Sequence, residues 1–531
     1  MSAYGYTLLE SGNLMATVAP QDNIIFLDGI YRVWSGYVPH IDFESALGAF
    51  NFFGPALFGV WTDSPEMALL LFNVTVVIFM LLSATWVCYS RLGIVSSVLF
   101  ILYVAAIAGA PMNVGTGPES ISHNMLYNRF GWAAVMIVAL MVIPSRYSRL
   151  GSITDTILLA MMAALMLYLK VSYFLVIIGL LVTFAVYNRF FRWVIVAVLA
   201  FSGTCAVLLS SLYPGINQGY ISNLMVVAGL SSKINLMKPV SKNIFEILPV
   251  LLMLLTTHIF VKGSGLKRFN QAFWVPLGML VASLMIIENN AQSYGLPLLF
   301  SALVVQIYFY KKTAESNHEG GLSNFEKVLF LSLLIALSLP VTFYRQATLE
   351  RYQRLSNTEY PAAIDSSLNR FLIIPGKQDK YRIDLTAMEE ESRQSILDGM
   401  AENTPTSAKL FKHQQALTIS EGLGHLRQLM QQFGEGPVVS FDFSNPFSWL
   451  LNVEPPKNDY LWYHPGRNIT EDVHRPASEF LADAKFVMSP KYPMDKRSPV
   501  LMESIAAGYL SHHFTKMDYD YWTIWVRKPL P

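Results

Sequence analysis

Ten long apolar runs fill the middle of this 531-residue chain and restrict its fold more than any other feature. A helix needs roughly 20 apolar residues to cross a bilayer, and these runs approach that length. Charged residues are scarce between Met67 and Phe343. They make up only 14% of the whole chain, whereas a soluble domain carries about a quarter. The runs predict membrane-spanning helices at about residues 66–89, 92–110, 129–145, 153–169, 171–187, 193–212, 244–262, 270–288, 295–310 and 326–343.

Lysine and arginine collect in every second connection between these runs. Because basic connections stay in the cytoplasm, the alternation orients the whole bundle. The basic residues that follow alternate spans are Arg91, Arg146, Arg149, Arg189, Arg192, Lys262, Lys267, Arg268, Lys311 and Lys312. The other connections, and everything after Phe343, are then predicted to face outward. We therefore expect a multi-pass protein of the bacterial inner membrane with a periplasmic C-terminal domain.

The change in composition predicts three segments: an outer loop over 1–65, a transmembrane domain over 66–343 and a soluble α/β domain over 344–531. Within the first segment, the apolar stretch 46–61 is short and contains glycine and proline, which favours a helix lying in the membrane interface. The alternative is that 46–61 itself spans. With 1–65 outside, we also expect a further spanning helix to be encoded upstream.

The soluble segment has the pattern of a mixed α/β domain. Strand-like apolar runs occur at 437–443 and 485–491, and the last segment, DYDYWTIWVRK, alternates as a terminal strand does. Helical spacing of apolar residues occurs in ALTISEGLGHLRQLMQQF, at 475–484 and at 497–512. The loops that follow strands hold Asn445, His464 and Arg467, where binding sites tend to lie. The alternative for this domain is a cap or a partner-binding module.

The polar segment 27–43 is the first candidate site. It carries Asp28, Arg32, His40 and Asp42, and we predict an outward loop whose acids do acid–base work on a substrate held at the membrane. The alternative is a solvated loop whose acids simply pair with its arginine.

Further polar residues gather at the predicted outer ends of the spans, where they are candidates for substrate binding. Lys170 lies in a tight turn between two apolar runs and could bind a phosphate as a point charge. The other candidates are His123, Asn128 and Arg129 at the mouth of one span, and Glu288, Asn290 and Gln292 at two others. The alternatives are a snorkelling arginine with an aromatic belt, a lysine that reaches lipid headgroups, and a polar turn.

The stretch DGIYRVWSGYVPHIDFESALGAFNFFGP resembles the first outer loop of the GT-C class of membrane glycosyltransferases. That class includes protein mannosyltransferases and lipid A aminoarabinose transferases, and uncharacterised bacterial relatives of the class are the most similar. The matching positions are Gly36, Pro39, Asp42, Phe43, Gly54 and Pro55. The match covers about residues 21–65. The adjacent pair of carboxylates common in these enzymes is absent, since Asp28 is followed by glycine and Asp42 by phenylalanine.

The resemblance implies sugar transfer from a polyprenyl-phosphate-linked donor to a lipid, glycan or protein acceptor at the outer face of the membrane. It makes Asp28 or Asp42 the general base. Arg129 and Lys170 are candidates for the donor phosphate from the predicted topology. The alternatives are a transporter or flippase of lipid-linked glycan, a polymerase or ligase of surface polysaccharide, and an inactive relative. A transporter usually shows internal repeats and charged midplane helices, and neither is evident here.

Other partner classes find no support in the sequence. The net charge is +1 and no basic stripe is present, so we expect no nucleic acid partner. No His, Cys or carboxylate spacing typical of a metal site occurs, so the sequence identifies no cofactor, with a divalent metal left open as the alternative. The expected partners are the lipid-linked sugar donor and membrane lipid.

Overall fold

The computed structural model describes residues 14–16, 20–110, 126–147, 149–230, 240–241, 243–261, 266–289, 295–317, 324–356, 371–373 and 412–529. The chain is a mainly helical polytopic membrane protein with a C-terminal α/β domain. All ten predicted apolar runs fall on helices. These are α3 (Pro65–Arg91), α4 (Ile94–Gly109), α5 (Leu126–Leu140), α6 (Arg149–Leu169), α7 (Val171–Tyr187), α8 (Phe190–Leu212), α10 (Ile244–Val261), α11 (Leu266–Asn289), α12 (Leu298–Asn317) and α13 (Asn324–Ser356), with α9 (Ile216–Leu230) between α8 and α10.

Four helices of the described part are long and apolar enough to cross a membrane, judged by length and composition. The stretches are Pro65–Arg91, Gly151–Leu169, Phe190–Leu212 and Glu326–Arg351. Large apolar side chains stay exposed on several helices, as with Trp193 at 77% and Phe245 at 85%. A water-soluble protein rarely leaves so many such groups uncovered, whereas hydrocarbon covers them without cost. The exposed surface of the bundle therefore suits a bilayer.

Local sequence explains where α3 begins and what its last turn contacts. Ser64 caps α3 by accepting the Met67 backbone N–H at 3.3 Å, and Pro65 occupies the first helical position. At the other end of α3, Arg91 forms a buried ion pair with Asp155 and donates to the Ile143 carbonyl at 2.8 Å. These contacts join the ends of α3, α5 and α6.

The N-terminal segment differs from its prediction in one respect. Pro20–Trp34 forms a helix, α1, so Asp28 and Arg32 lie on a helix and the predicted loop over 27–43 is wrong for its first half. Leu27 and Ile30 on α1 are fully buried, and this apolar face is what stabilises the helix. Downstream, Phe50–Ala56 forms α2 and continues as a short 3₁₀ turn over Leu57–Val60. Eleven helical residues extend only about 16 Å, too short to span, which favours the interfacial interpretation of 46–61.

The C-terminal domain is built on a four-stranded sheet. Its strands are β4 (Val438–Ser440), β6 (Phe486–Pro490), β7 (Phe514–Asp518) and β8 (Trp522–Arg527), in the order β4–β6–β8–β7. Strands β4 and β6 are parallel and the other pairs are antiparallel. Helices α14 (Lys412–Phe433) and α17 (Arg497–His513) confirm two of the predicted helices, whereas at 475–484 only Ala477–Phe480 (α16) is helical. The remaining elements are β1 (Leu14–Ala16) paired with β3 (Phe371–Ile373), α15 (Phe447–Leu451), and β2 (Phe43–Glu44) paired with β5 (Asp459–Tyr460).

The C-terminal domain docks on α1 and the segment after it. Strands β2 and β5 pair in parallel, and the Asn458 N–H donates to the Asp42 carbonyl at 2.7 Å. Tyr37 donates its hydroxyl to Glu454 at 2.9 Å. A partly exposed ion pair between Arg475 and Glu44 adds a further link. Strand pairing, hydrogen bonds and an ion pair therefore join the segment after α1 to the C-terminal domain.

Candidate functional site

Asp28 forms a buried ion pair with Arg32. The Arg32 Nε donates to its Oδ2 at 2.8 Å, and the same guanidinium reaches Asp459 of the C-terminal domain at 3.3 Å. Both Asp28 and Arg32 have no exposed surface. Tyr463 donates its hydroxyl to the other oxygen of Asp459 at 2.5 Å. This group of charges holds α1 to the C-terminal domain, which is the pairing that the sequence left open as the alternative for Asp28.

Asp42 and His40 shape the turn that follows α1. The Asp42 carboxylate accepts the Val38 backbone N–H at 2.7 Å. His40 adopts a left-handed backbone (φ 67°), its ring lies 4.7 Å from that of Tyr220, and its Nδ1 is 3.1 Å from the Asn223 amide nitrogen. Burial lowers the pKa of His40 to about 3, so the ring is neutral near pH 7. These contacts point to a role for both residues in fixing the turn.

Lys170 lies at a helix junction, where its side chain is partly buried. It is the single residue between α6 and α7, and its ammonium lies over the Tyr127 ring at 5.0 Å from the centroid. Tyr127 also stacks on Phe26 of α1 at 5.9 Å. Burial and the nearby positive charge of Arg467 lower the pKa of Lys170 to about 7. The lysine thus sits where α1, α5 and the α6–α7 turn meet.

Arg129 lies deeper in the helical bundle than Lys170. It lies in the first turn of α5, buried to 1% exposure beside the equally buried Asn128. It interacts electrostatically with Tyr173 and Tyr103, and Tyr173 in turn interacts with Tyr127. Glycine at position 131 lets the Tyr173 ring pack closely against α5, because a Cβ there would lie 2.3 Å from that ring. Sequence reasoning placed Arg129 and Lys170 at one face, and the structure connects them through two tyrosines.

Arg345 and Glu246 extend the cluster, although neither residue was among the candidates predicted from the sequence. Arg345 on α13 is 1% exposed and donates to the Ala110 carbonyl at 2.7 Å. It is repelled by Arg129 and attracted by Glu246 of α10. Glu246 in turn accepts the Leu296 backbone N–H. The only cue in the sequence is position, since both residues lie near the outer ends of predicted spans.

The C-terminal domain adds a fourth basic group. Arg467 follows β5 in a turn whose backbone N–H donates to the His464 carbonyl at 3.0 Å. The side chain is exposed and makes no hydrogen bond to another described residue, yet it interacts electrostatically with Lys170, Tyr127 and Asp22. Burial and Arg467 lower the pKa of His464 to about 4. Arg467, one of the loop residues named from the sequence, therefore lies close enough to interact with Lys170 and Asp22.

Asp22, which the sequence analysis passed over, is the carboxylate that faces this group. It lies in the first turn of α1 and interacts with Arg467 and Tyr127. Burial raises its pKa to about 6, while Arg467 opposes the rise. A group with that pKa is mostly ionised at pH 7 and still basic enough to accept a proton. Its spacing of six residues from Asp28 does not single it out, because side chains six apart on a helix lie about 120° apart around the axis.

We call Arg129, Lys170, Arg345 and Arg467 the cation cluster. Two acids of the described residues, Asp22 and Glu246, interact with members of this cluster. Like charges brought together at low dielectric repel strongly, and an anionic ligand relieves that repulsion. A phosphate group suits this arrangement, because guanidinium and ammonium groups are its preferred partners.

Some predicted residues cannot be placed. His123, Asn290 and Gln292 lie outside the described residues, and Glu288 lies on α11 with its side chain outside them. Within the described residues, no group of three or more His, Cys, Asp or Glu side chains is placed to hold a metal ion.

Comparison with known proteins gives one distant similarity. No protein-family model matches the chain, and no curated protein matches its sequence. Among solved structures, the oligosaccharyltransferase of Archaeoglobus fulgidus, crystallised with zinc and sulfate, aligns with 97% of this chain and 70% of its own. The two share 10% identity with a TM-score of 0.41. A similarity this distant assigns neither a family nor a site residue.

Proposed function

We propose that this protein is a membrane glycosyltransferase of the GT-C type that uses a lipid-phosphate-linked sugar as its donor. The observation that carries the proposal is that Arg467 of the C-terminal domain interacts with both Asp22 of α1 and Lys170 of the α6–α7 turn, while Lys170 lies over Tyr127, which connects it through Tyr173 to Arg129. Basic groups near a carboxylate suit a reaction in which a phosphate leaves and a hydroxyl loses its proton.

In the proposed reaction, Asp22 accepts the proton of the acceptor hydroxyl as the oxygen attacks the anomeric carbon of the sugar. The bond between that carbon and the phosphate oxygen breaks, and the lipid phosphate departs with the bonding electrons. Lys170 and Arg467 stabilise the negative charge that develops on the leaving phosphate. Arg129, deeper in the bundle, orients the donor before reaction.

Asp28 and Asp42 take supporting roles in this proposal. Asp28 is fully buried in its pair with Arg32, and Asp42 caps the Val38 N–H, so neither carboxylate has to meet substrate. They hold α1, and with it Asp22, against the C-terminal domain that carries Arg467. His40 and Arg32 are likewise positioning residues, and Asn128 stands beside Arg129 as a donor-binding candidate.

We further propose that the protein lies in a bacterial cytoplasmic membrane with the C-terminal domain outside. The regular alternation of basic connections supports this orientation. A donor carried by a lipid suits an outward-facing site, where soluble nucleotide sugars are not supplied.

The decisive experiment separates donor binding from transfer. The full chain in nanodiscs is titrated with a polyprenyl phosphate, and transfer is measured from a synthetic polyprenyl-phosphate hexose to the lipids of the disc. We expect Lys170→Gln and Arg467→Gln to weaken binding by about tenfold each, since a charge-assisted hydrogen bond contributes about 1.5–3 kcal/mol. Lys516→Gln, an exposed lysine on β7, is the matched control.

Asp22→Asn distinguishes the proposed base from a structural carboxylate. We expect it to leave binding of the polyprenyl phosphate within about twofold and to lower transfer by 10²-fold or more, the usual range for general base catalysis. Normal transfer by Asp22→Asn, or binding that survives both Lys170→Gln and Arg467→Gln, would contradict the proposal.

A further inference from the structure

A deep apolar groove lies beneath α2. It has a volume of 620 Å³ and is walled by α2, α3, α6 and α8, with Phe53, Phe72, Ala164, Tyr168 and Cys205 among its lining residues. On α6 the lining runs from Met161 to Tyr168, which is the half of that helix nearest Lys170. We call it the α2 groove.

A second, narrower groove runs between α7 and α11. Its volume is 340 Å³, and on α7 its lining runs from Ser172 to Thr183. Gly179 and Gly278 form part of its floor, and a Cβ added at either position would meet no atom within 4 Å. The absence of two side chains therefore keeps this groove open. We call it the α7–α11 groove.

Both grooves have lining residues close to the Lys170 turn, one on each of the two helices that the turn joins. Tyr168 lines the α2 groove two residues before Lys170, and Ser172 lines the α7–α11 groove two residues after it. At 1.5 Å per helical residue, the lined stretches extend about 10 Å along α6 and about 16 Å along α7. The hydrocarbon core of a bilayer is about 30 Å thick, so each groove reaches no further than about one leaflet.

We propose that the two grooves hold the hydrocarbon chains of two different lipids, so that the acceptor of the sugar is itself a lipid. This inference rests on the proposed function and names its acceptor class. The α7–α11 groove would take the isoprenoid chain of the donor, because its mouth at Ser172 adjoins Tyr173 and hence Arg129. The α2 groove takes a chain of the acceptor lipid, whose headgroup then lies beside Lys170 and Asp22.

The geometry favours a lipid acceptor over a protein or a soluble glycan. Those acceptors would approach through water and would need no second apolar groove that ends at the cation cluster. Charge complementarity also fits, since both proposed occupants place a polar or anionic headgroup at Lys170 and an apolar chain away from it. Two chains held in the two grooves bring their headgroups together at one turn.

The test uses two photoreactive probes in nanodiscs of phosphatidylethanolamine and phosphatidylglycerol containing the full chain. One probe is a polyprenyl phosphate with a diazirine in its chain, and the other is a phosphatidylglycerol with a diazirine at the end of one acyl chain. Cross-linked residues are mapped by mass spectrometry. We expect the first probe to label the α7–α11 groove and the second to label the α2 groove above other lipid-facing surfaces.

Groove-filling variants with matched controls complete the test. Gly179→Leu should lower polyprenyl labelling about tenfold, because excluding two methylenes forfeits roughly that much affinity. Ala164→Trp should lower phospholipid labelling of the α2 groove by a similar factor. The controls are Val182→Leu and Ile157→Trp, on the same helices but outside both linings and 51% and 53% exposed. We expect neither control to change labelling.

The outcomes separate this inference from the proposed function. Polyprenyl labelling of both grooves, or phospholipid labelling that Ala164→Trp and Ile157→Trp leave equally intact, would overturn the two-lipid proposal while the donor site stands. Absence of any polyprenyl binding that depends on Arg467 would remove the proposed function, and with it the reason for an acceptor.

Discussion

Replacing Arg32 with methionine should loosen the C-terminal domain from α1. The substitution leaves Asp28 and Asp459 buried at 0% and 1% exposure, facing each other without a cation. Removing one partner of such a buried pair costs about 3–5 kcal/mol. At the lower figure, the equilibrium constant for undocking rises about a hundredfold.

Two backbone amides that hydrogen-bond between the C-terminal domain and the segment after α1 report the undocking equilibrium through their hydrogen-exchange rates. The Asn458 N–H donates to the Asp42 carbonyl and the Leu461 N–H to the Glu44 carbonyl, at 2.7 and 3.1 Å. Hydrogen exchange of peptides that cover 457–461, measured by mass spectrometry in nanodiscs, should therefore accelerate about a hundredfold in Arg32→Met.

Two controls decide whether charge is the cause. Arg475→Met removes a partly exposed pair with Glu44, which is worth about 0–1 kcal/mol, so exchange should rise less than about tenfold. The triple variant Asp28→Asn, Arg32→Met, Asp459→Asn removes all three charges and should recover most of the loss. Equal acceleration in Arg32→Met and Arg475→Met would refute the reasoning.

Three further outcomes are expected. Gly131→Ala should displace the Tyr173 ring and weaken polyprenyl phosphate binding by about tenfold, since its Cβ would lie 2.3 Å from that ring; binding and thermal stability are measured together. Burial raises the pKa of Asp442 to about 7, so folding takes up a proton. The contribution of Asp442 to the stability of the C-terminal domain should be greatest below about pH 4 and be lost as the pH rises through 7, and chemical denaturation of Asp442→Asn should lack that component of the pH dependence. Ser35→Cys should react with an impermeant thiol reagent in intact cells, and protection until permeabilisation would reverse the orientation.

The fold could be predicted from the sequence to the extent that apolar periodicity governs it. All ten apolar runs are helices, and the strands at 438–440, 486–490 and 522–527 fall inside the predicted runs. The helix over Pro20–Trp34 was missed because its charged residues suggested a solvated loop. In the structure those charges pair within the helix and with a domain more than 420 residues away, and sequence patterns carry no such distant information.

The candidate site was predicted in part. Arg129 and Lys170 followed from their unusual position at the outer ends of spans, where cations are scarce. Arg345 shares that position but was not predicted, and Asp22 lies outside the predicted spans. Arg345 continues a long helix past the predicted end of the last span at 343, and Asp22 gains meaning only from the approach of Arg467. Both residues take part in the site only through tertiary contacts. An arginine or an aspartate is also common in the segment where each lies, so residue type alone does not mark either one.

The position of Arg467 orders the assembly of the proposed site in time. A ribosome that has made every apolar helix has not yet made this arginine, because more than 100 residues separate it from the end of α13. A chain interrupted anywhere in that interval holds Lys170, Arg129 and Arg345 in the bundle but lacks Arg467, the fourth member of the cation cluster. Such a product would insert its helices in the membrane but would lack the complete proposed site. The proposed sugar transfer would therefore begin only after the C-terminal domain has been synthesised.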